Sequence, residues 1–233
     1  EIVRALDEEQ LAEIAREISA QDLRSVAVCL LNSYANSTHE QRIKEVFEKE
    51  LPGIHVTLSS EVAPQIREYP RTSTTCINAY STPFSLPYLT GLTDQVKAEG
   101  SQLEPLIMLS NGGVVGARTA ALQPVRMIES GPAAGALAAG LLSKNYGISD
   151  LISFDMGGTT AKACLIQGGE PLITGEFEVD RRYRFKPGSG MPITVPSVDM
   201  IEIGAGGGSI ARMDDLGLLK VGPDSPGSDP GPA

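Results

Sequence analysis

Residues 151–166, L-I-S-F-D-M-G-G-T-T-A-K-A-C-L-I, place an acidic residue and a small polar turn between two apolar runs. Such a pattern predicts two strands joined by a tight turn, with Asp155 near the end of the first strand. The turn consists of Gly157, Gly158, Thr159 and Thr160. Its glycines let another group approach the backbone, and its hydroxyls and N–H groups together form a concave set of donors. Donor sets of this kind are typical of phosphate sites.

The carboxylate of Asp155 bears on what such a site would bind. An anionic side chain beside a phosphate repels it unless a cation lies between them, and Mg²⁺ commonly uses one or two carboxylates and several waters. We therefore expect a nucleotide with Mg²⁺, and we assign Asp155 to the metal and to catalysis. The alternative is an ordinary hairpin with a glycine-rich turn, because Gly and Asp are common in turns of every kind.

Composition excludes several classes of function. The 233 residues include 19 Lys and Arg against 29 Asp and Glu, a net charge of −10, so we expect no nucleic-acid partner and no membrane surface as partner. Three separated cysteines suit reduced thiols, which predicts a cytoplasmic protein. The two histidines have no ligand-like spacing, which argues against zinc, and no apolar run is long enough to span a bilayer. Because the chain begins with Glu1, we expect it to be part of a longer protein.

Alternating helix and strand patterns predict an α/β fold. Asp7 is expected to cap a first helix, and Ser37 with Glu40 matches a capping box at the start of a second one. Strands are expected at residues 25–31 and 54–58. Each of these two helices has a charged outer side, which predicts a solvent-exposed surface, and we assign it no catalytic or binding role.

The next segment contains a hydroxyl run, residues 72–75, which we expect to precede a helix start and to form either an anion site or a simple N-cap with Arg71 paired to Glu68. Pro83 and Pro87 predict a break between two helices, because a proline inside a helix removes a hydrogen bond. Such a break would shape a cleft or a hinge.

Three further glycine turns follow apolar strands or begin a helix. We expect strands at residues 106–109 and from residue 201, a small-residue helix at 133–142 packed closely on a sheet, and a hairpin at Gly168–Gly169 that leads into a strand at 171–179. The candidate nucleotide contacts in the three turns are Asn111, Gly112, Gly113, Ser130, Gly131, Gly206, Gly207, Gly208 and Ser209. The last group is not a dinucleotide fingerprint, because Ser209 occupies the place of its third glycine and no helix pattern follows.

Five motifs together resemble the hydantoinase A / 5-oxoprolinase / acetone carboxylase family, and N-methylhydantoinase A-like proteins within it. They are E-Y-P-R-T-S-T-T at 68–75, S-N-G-G at 110–113, E-S-G-P-A-A-G at 129–135, S-F-D-M-G-G-T-T-A-K at 153–162 and I-G-A-G-G-G-S-I at 203–210. Many family members have S-T-D after D-M-G-G-T, whereas this chain has Thr160, Ala161 and Lys162. Any role of an acidic residue at this position in those members therefore does not apply to this chain, which has Lys162 there.

The resemblance implies a partial actin-like ATPase (ribonuclease H-like) α/β fold with mixed sheets flanked by helices. It implies an internal fragment, because a second phosphate loop would precede it and a large region would follow it. Residues 1–60 would end the N-terminal hydantoinase/oxoprolinase region, 61–150 would form a helical and α/β part, 151–221 would form the second, incomplete lobe, and 222–233 a truncated Pro/Gly-rich linker. A hydantoinase B-type subunit or domain would be the partner.

The implied activity is ATP-dependent opening of a cyclic amide, a hydantoin or 5-oxoproline, through phosphorylation of the amide oxygen. ATP and Mg²⁺ would be the cofactors, and the isolated fragment would be inactive. Two alternatives stay open, a small-molecule kinase with the same fold and a non-catalytic assembly module of a carboxylase or hydrolase complex. No Ser-His-Asp set or G-x-S-x-G motif supports a direct hydrolase.

Overall fold

The computed structural model describes residues 4–183 and 186–227, together with residues 229 and 231. The first half of the chain contains α1 (Glu8–Ser19), β1 (Ser25–Val28), α2 (Thr38–Glu50), β2 (His55–Leu58), α3 (Ser59–Val62), α4 (Glu68–Ala98), β3 (Leu106–Met108), β4 (Val114–Gly116), α5 (Ala117–Leu122) and a 3₁₀ turn (Pro124–Met127). The second half contains α6 (Ser130–Tyr146), β5 (Leu151–Met156), β6 (Ala161–Gln167), β7 (Glu170–Pro171), β8 (Ile173–Thr174), β9 (Phe177–Val179), β10 (Met191–Ile193), β11 (Ser197–Val198), β12 (Met200–Ile203), β13 (Ala211–Met213) and β14 (Leu219–Val221). The predicted α/β class is confirmed.

The chain forms two compact units. Unit 1 consists of Glu1–Leu109, Gly113–Ile128 and Gly175–Pro196, and unit 2 of Ser110–Gly112, Glu129–Thr174 and Ser197–Ala233. These units are not continuous in sequence, so the predicted division at residues 60, 150 and 221 stays a prediction. Part of the predicted linker, residues 228, 230, 232 and 233, lies outside the described residues.

The first core of unit 1 lies around a pair of parallel strands. β1 pairs with β2 from Ser25↔His55 to Val28↔Leu58, and α1 and α2 bury their apolar sides in the same core. Its buried members are Leu11, Ala15, Val28, Ile43, Phe47, Leu51 and Leu58. Asp7 caps α1 as predicted, because its side chain accepts a hydrogen bond from the Gln10 N–H at 3.1 Å.

Glu40 does not form the predicted capping box. Ser37 makes no side-chain capping bond at the start of α2, and Glu40 is fully buried instead. Its carboxylate accepts hydrogen bonds from the Leu30 N–H at 2.8 Å, the Ser59 hydroxyl at 2.7 Å and the Ser60 N–H at 2.9 Å. Burial alone would raise the pKa of Glu40, but these donors outweigh it and hold the pKa below its ordinary value.

The start of α4 also differs from the expectation. The helix begins at Glu68, so the hydroxyl run lies inside it, and the Thr74 and Thr75 hydroxyls donate to the carbonyls four residues earlier, both at 2.7 Å. Arg71 is 1% exposed and donates to the carbonyls of Leu30 at 2.7 Å and Gln65 at 3.1 Å. The helix start expected after the hydroxyl run is therefore wrong, and the expected pairing of Arg71 with Glu68 is present at 3.6 Å. The Arg71, Thr74 and Thr75 side chains bind backbone carbonyls, which does not favour an anion site here.

The predicted break at the prolines is absent, and α4 continues through Pro83 and Pro87 as a helix of 31 residues. One side of the helix is anchored in unit 1, where Asn78 donates to the Leu122 carbonyl at 3.2 Å and accepts from the Val125 N–H at 3.3 Å. The Thr82 hydroxyl donates to the Asn78 carbonyl at 2.8 Å. Tertiary contacts of this kind override the local preference for a break.

The other side of α4 is aromatic and exposed. Tyr69, Tyr80, Phe84 and Tyr88 are each more than half exposed, and no Asp, Glu, Lys, Arg or His occurs between residues 72 and 93. Even so, none of the helices in the described ranges combines the length and the apolar character that crossing a bilayer requires.

Unit 2 is built on a main antiparallel sheet that packs against one helix, and it also contains two two-stranded sheets, β8 with β11 and β13 with β14. The strand order is β12-β6-β5, and α6 packs on the face that carries Cys164 and Ile166. The small residues of α6 permit the close packing that the sequence predicted. A Cβ at Gly140 would come within 2.8 Å of the Gly169 carbonyl oxygen.

The hairpin at Gly168–Gly169 is confirmed, since β6 and β7 pair across it and both glycines have positive φ angles, 58° and 77°. The single strand predicted at residues 171–179 is wrong. Three short strands occur there instead, because β7 pairs with β6, β8 with β11 and β9 with β10.

Substitution of Glu40 by Gln is expected to lower the free energy of unfolding by about 1–3 kcal/mol near neutral pH, because an amide replaces an acceptor that three donors need. The folded-state pKa of Glu40 is lowered, so the carboxylate's contribution is fully present above the unfolded-state value and is lost as pH falls through the folded-state pKa. The difference between wild type and variant should therefore shrink below about pH 4.3. Urea unfolding at a series of pH values measures it.

Glu48→Gln provides the matched control, because Glu48 is an exposed residue of the same helix. Its unfolding free energy should stay within about 0.5 kcal/mol of wild type. Equal stabilities for the two variants at neutral pH would contradict the role given to Glu40.

Candidate functional site

The first turn, residues 157–160, closes the β5–β6 hairpin. Its strands pair from Leu151↔Ile166 to Met156↔Ala161, and the Gly157 N–H donates to the Thr160 carbonyl oxygen at 2.9 Å. Asp155 and residues 157–159 are exposed. The hairpin alternative is therefore correct as a description of the backbone, and the turn is also open enough to accept a ligand.

The first turn offers donors to such a ligand. The Gly158 N–H and the hydroxyls of Thr159 and Thr160 have no hydrogen-bond partner within the part of the chain that the structure describes. Hydroxyl and amide donors on one turn can bind the oxygens of a phosphate.

A second turn, residues 206–209, holds the first one in place. The Gly207 N–H donates to the Gly157 carbonyl oxygen at 2.9 Å, and the Gly208 N–H donates to the Gly158 carbonyl oxygen at 2.8 Å. Both contacts join backbone to backbone across about fifty residues of sequence. Two carbonyl groups of the first turn are thus held by the second turn, while residues 157–159 stay exposed.

Gly206 is required for this contact. A Cβ at position 206 would lie 2.6 Å from the Thr159 nitrogen and 2.7 Å from both the Gly157 oxygen and the Gly158 carbonyl carbon. All three are backbone atoms of the first turn, so no side chain can move to make room. The absence of a Cβ lets the two turns touch.

The second turn has no backbone donor left for a nucleotide. The Gly206 N–H donates to the Ser209 hydroxyl and the Ser209 N–H to the Gly206 carbonyl oxygen, both at 2.9 Å, and the other two N–H groups bind the first turn. A nucleotide contact stays a prediction for Gly206, Gly207, Gly208 and Ser209. Their observed part is to support the first turn.

A row of charged side chains crosses the sheet beside the first turn. Asp155 lies opposite Lys162, and Lys162 lies opposite Glu202, so the three side chains lie on the same face of adjacent strands. The Lys162 ammonium is 3.2 Å from a Glu202 carboxylate oxygen and 3.7 Å from one of Glu129, the residue before α6. One lysine is thus surrounded by three carboxylates.

The environment of this row shifts two pKa values. Burial alone would lower the pKa of Lys162, but the carboxylates of Glu129, Glu202 and Asp155 outweigh it and raise that pKa. Burial also raises the pKa of Glu129, and the Glu202 charge adds to the rise, against the opposing attraction of Lys162. Lys162 therefore stays a cation at neutral pH.

Most of the other residues predicted to contact phosphate lie in unit 2, as the first turn does. The Ser110 hydroxyl accepts a hydrogen bond from the Glu129 N–H at 3.1 Å, next to Ser130 and Gly131 in the first turn of α6. Asn111 and Gly112 also belong to unit 2, and a Cβ at Gly112 would meet the side chain of Leu137 at α6. Gly113 belongs to unit 1. Phosphate contacts by these residues stay predictions.

Asp155 is an exposed carboxylate, and its role as a metal ligand stays a prediction. Within the described ranges, no three His, Cys, Asp or Glu side chains form a group that could hold a metal ion. A magnesium ion carried in by a nucleotide needs no such group, since phosphate oxygens, waters and one carboxylate suffice. An exposed Asp155 next to free donors fits that arrangement.

Sequence reasoning missed the link from Lys162 to Glu129 and did not assign Lys162 a place. The position of Lys162 opposite Asp155 could have been found from hairpin geometry, because residues equally distant from a turn lie opposite each other. The contact with Glu129 depends on how α6 packs, and no local pattern contained it.

Two family models match the chain. One, described as Hydantoinase/oxoprolinase, matches residues 71–233, and another, described as Hydantoinase/oxoprolinase N-terminal region, matches residues 1–51.

Several relatives match nearly the whole chain. An uncharacterized protein from Methanocaldococcus jannaschii is 42% identical over 99% of this chain and 34% of its own length. Caprolactamase subunit alpha from Pseudomonas jessenii is 37% identical over 97% of this chain and 31% of its own length. The 5-oxoprolinase of Saccharomyces cerevisiae is 34% identical over the full chain and 17% of its own length. This chain therefore spans about a third of the first two and a sixth of the third.

Two solved structures share the fold. The ATP-dependent caprolactamase from Pseudomonas jessenii matches with a TM-score of 0.80 and 35% identity, over 100% of this chain and 32% of that one. The nucleotide-free structure of an acetone carboxylase, an enzyme of ATP-dependent acetone carboxylation, matches with a TM-score of 0.76 and 29% identity. The match covers 96% of this chain and 31% of that one. The mixed α/β fold is consistent with the predicted actin-like fold.

Gly206→Ala is expected to displace the first turn and to lower the free energy of unfolding by about 1–3 kcal/mol, because the added methyl overlaps backbone atoms. Hydrogen exchange at the Gly207 and Gly208 amides should become faster, since both donate to the first turn. Denaturant unfolding and amide exchange measured by NMR give the two values.

Gly204→Ala is the matched control in the same loop, because a Cβ there meets nothing within 4 Å. It should leave both measurements near wild type. If the two alanine variants behave alike, the turns do not depend on close contact at Gly206.

Proposed function

The chain belongs to the hydantoinase/oxoprolinase family, and on that premise we infer that it is the phosphate-binding part of an enzyme that uses ATP to open a cyclic amide. The observation that carries the proposal is the exposed first turn, which presents free donors beside Asp155. Two backbone hydrogen bonds from the second turn hold it in place. A loop held in this way is preorganised, so little reorganisation is needed when phosphate binds.

The names of the relatives support the type of reaction. Caprolactamase and 5-oxoprolinase act, by name, on cyclic amides, and the caprolactamase structure is described as ATP-dependent. The carboxylases in the same set act by name on ketones, and they are 30 to 32% identical to this chain. Lactams and ketones share a carbonyl oxygen that ATP can activate. The 37% identity to the caprolactamase subunit favours a lactam, whereas the 5-oxoprolinases, at 30 to 34%, are about as similar to this chain as the carboxylases are. We place N-methylhydantoin and 5-oxoproline in this substrate class.

Phosphorylation of the amide oxygen would overcome the low reactivity of an amide toward water. An amide resists attack by neutral water because its nitrogen lone pair is shared with the carbonyl. Transfer of the terminal phosphoryl group of ATP forms a P–O bond to the amide oxygen, and ADP leaves. Water then adds to the carbon and the ring C–N bond breaks, with the nitrogen taking a proton, which leaves an acyl phosphate. A second water attacks the acyl carbon, so that a carboxylate forms and phosphate leaves with the oxygen that had belonged to the amide.

This chain's residues would position the phosphates for that transfer. The Gly158 N–H and the hydroxyls of Thr159 and Thr160 would donate to phosphate oxygens, and the Asp155 carboxylate would hold Mg²⁺ through water. Bound Mg²⁺ would neutralise charge on the phosphates during transfer. Lys162 would keep the neighbouring carboxylates from adding uncompensated negative charge to the site.

The rest of the active site would lie in other parts of a longer protein. In our proposal residues 151–221 form one of two lobes, a second phosphate loop comes from the other, and this chain alone does not open a ring. Relatives named as subunits suggest a separate partner, which we take to be a hydantoinase B-type subunit. The 5-oxoprolinases are about twice as long as the subunits, since this chain covers 16 to 17% of them instead of about 31%, which would accommodate such a partner in one polypeptide.

A lactam labelled with ¹⁸O in its carbonyl group tests the reaction directly. The longer enzyme with ATP and Mg²⁺ should release inorganic phosphate that contains the label, because the phosphate leaves with the amide oxygen. Mass spectrometry of the phosphate measures this, and the 233-residue chain alone is a control that should release none. Unlabelled phosphate accompanied by ring opening would refute the proposed route, in which the amide oxygen is phosphorylated and the acyl phosphate is then cleaved between carbon and oxygen. A stable phosphorylated product would indicate a kinase.

Asp155→Asn in the longer enzyme is expected to reduce lactam-dependent ATP hydrolysis by about 100-fold or more, because Mg²⁺ loses its carboxylate. Thermal stability should change little, since Asp155 is exposed. Asp215→Asn, at another exposed acid of unit 2, is the control and should retain full activity. Full activity of Asp155→Asn would remove Asp155 from the mechanism, and loss of partner binding at full activity would favour an assembly role.

A further inference from the structure

A cavity of about 520 Å³ lies between the second half of α4 and α5. All of its lining residues belong to unit 1, whereas the first turn belongs to unit 2. Binding sites for small molecules commonly have volumes of about 300–1,000 Å³. None of the residues that the sequence predicts to contact a ligand lines this cavity, so the proposed phosphate site does not account for it.

The floor of the cavity is apolar. Leu89 on α4 and Ala117 and Ala121 on α5 line it, and each of these side chains is at most 4% exposed. They belong to the core that packs α4 against α5. Because a packed core keeps its shape whether or not a ligand is present, this floor is preformed. A floor of this kind suits a chain of methylene groups.

Four charged side chains also line the cavity. Asp94 and Lys97 come from α4, Glu104 comes from the loop before β3, and Arg118 comes from α5. Two acids and two bases give the lining no net formal charge, although the chain as a whole carries −10. Groups of both signs are thus available to a ligand within one cavity.

These charged groups do not neutralise one another in pairs. Within the described residues, the side chains of Asp94, Lys97 and Arg118 form no ion pair and no hydrogen bond. Glu104 is held in place by the Arg118 N–H, which donates to one of its carboxylate oxygens at 2.8 Å. A Cβ at Gly116 would lie 2.5 Å from a Glu104 oxygen, so the glycine makes room for this carboxylate.

We propose that this cavity binds a linear amino acid whose ammonium and carboxylate groups are separated by an apolar chain. Asp94 binds the ammonium group, because its carboxylate has no other partner, and the guanidinium of Arg118 binds the carboxylate. The chain of the ligand lies on the apolar floor. This choice of ligand rests on the proposed function, since hydrolysis of a lactam gives a carboxylate and an amine on one chain, both charged at neutral pH.

Two other classes of ligand fit the cavity less well. A nucleotide or another polyanion would meet the carboxylates of Asp94 and Glu104 as well as the two bases. An uncharged apolar molecule would cover four charged groups without binding them, and removing charges from water without a partner is unfavourable.

Isothermal titration calorimetry of the longer enzyme, without ATP, tests the proposal with 6-aminohexanoate, the amino acid formed when caprolactam is hydrolysed. Hexanoate and hexylamine are the matched controls, because each keeps the chain and lacks one of the two charges. Each control should bind at least about 10-fold more weakly, since one charged contact is lost. These comparisons use unsubstituted protein, so they do not depend on the folding of a variant.

Variants locate the binding site. Asp94→Asn and Arg118→Gln should each weaken binding of 6-aminohexanoate by about 10-fold or more. Glu99→Gln is the control, because Glu99 is an exposed acid directly after α4 that does not line the cavity. This control should bind the amino acid as the wild type does.

Weaker binding of both control ligands and of both cavity variants supports the proposal. Absence of binding at about 10 mM amino acid, equal binding of hexanoate or hexylamine, or binding that either cavity variant leaves unchanged would each overturn it. The measurement needs neither ATP nor ring opening. An enzyme that transfers ¹⁸O to phosphate without binding the amino acid would therefore retain the proposed function and refute this inference alone.

Discussion

Two hydrogen bonds between backbone groups, from Gly207 to Gly157 and from Gly208 to Gly158, set the geometry of the candidate site. They join loops that lie about fifty residues apart, and they require that no Cβ be present at Gly206. Because no side chain takes part, their formation does not depend on rotamers or on pH. The first turn is thereby held in one shape while its donors remain exposed, which is the combination that a phosphate-binding loop needs.

The charges around the first turn bear on how an acidic chain could hold the proposed phosphate site. Asp155, Glu202 and Glu129 lie near the first turn, and Lys162 is held among them. The lysine compensates part of their charge, and Asp155 remains exposed. The pairing of β5, β6 and β12 brings Lys162 between Asp155 and Glu202, and the β5–β6 pairing also forms the hairpin that carries the first turn. The candidate site therefore depends on the sheet being formed. One lysine against three carboxylates leaves this row acidic, so phosphate binding here would need the Mg²⁺ that the proposal places at Asp155.

Sequence reasoning succeeded where the determining interactions are local. The hairpin at the first turn, the cap at Asp7 and the turn at Gly168–Gly169 depend on neighbouring residues, and all three occur in the structure. It failed where distant segments supply the partner. Glu40 binds groups ten to twenty residues away instead of capping its helix, and the proline break in α4 is overridden by packing. The support from the second turn belongs to this class, because glycines alone do not reveal which backbone they will touch.

The aromatic side of α4 has a practical consequence for spectroscopy. The chain contains no tryptophan, so its near-ultraviolet emission comes from six tyrosines. Three of them, Tyr69, Tyr80 and Tyr88, lie on this one helix and are largely exposed. Half of the intrinsic fluorophores therefore report on a single surface, and quenching or enhancement of tyrosine light would follow events at α4 without any attached dye.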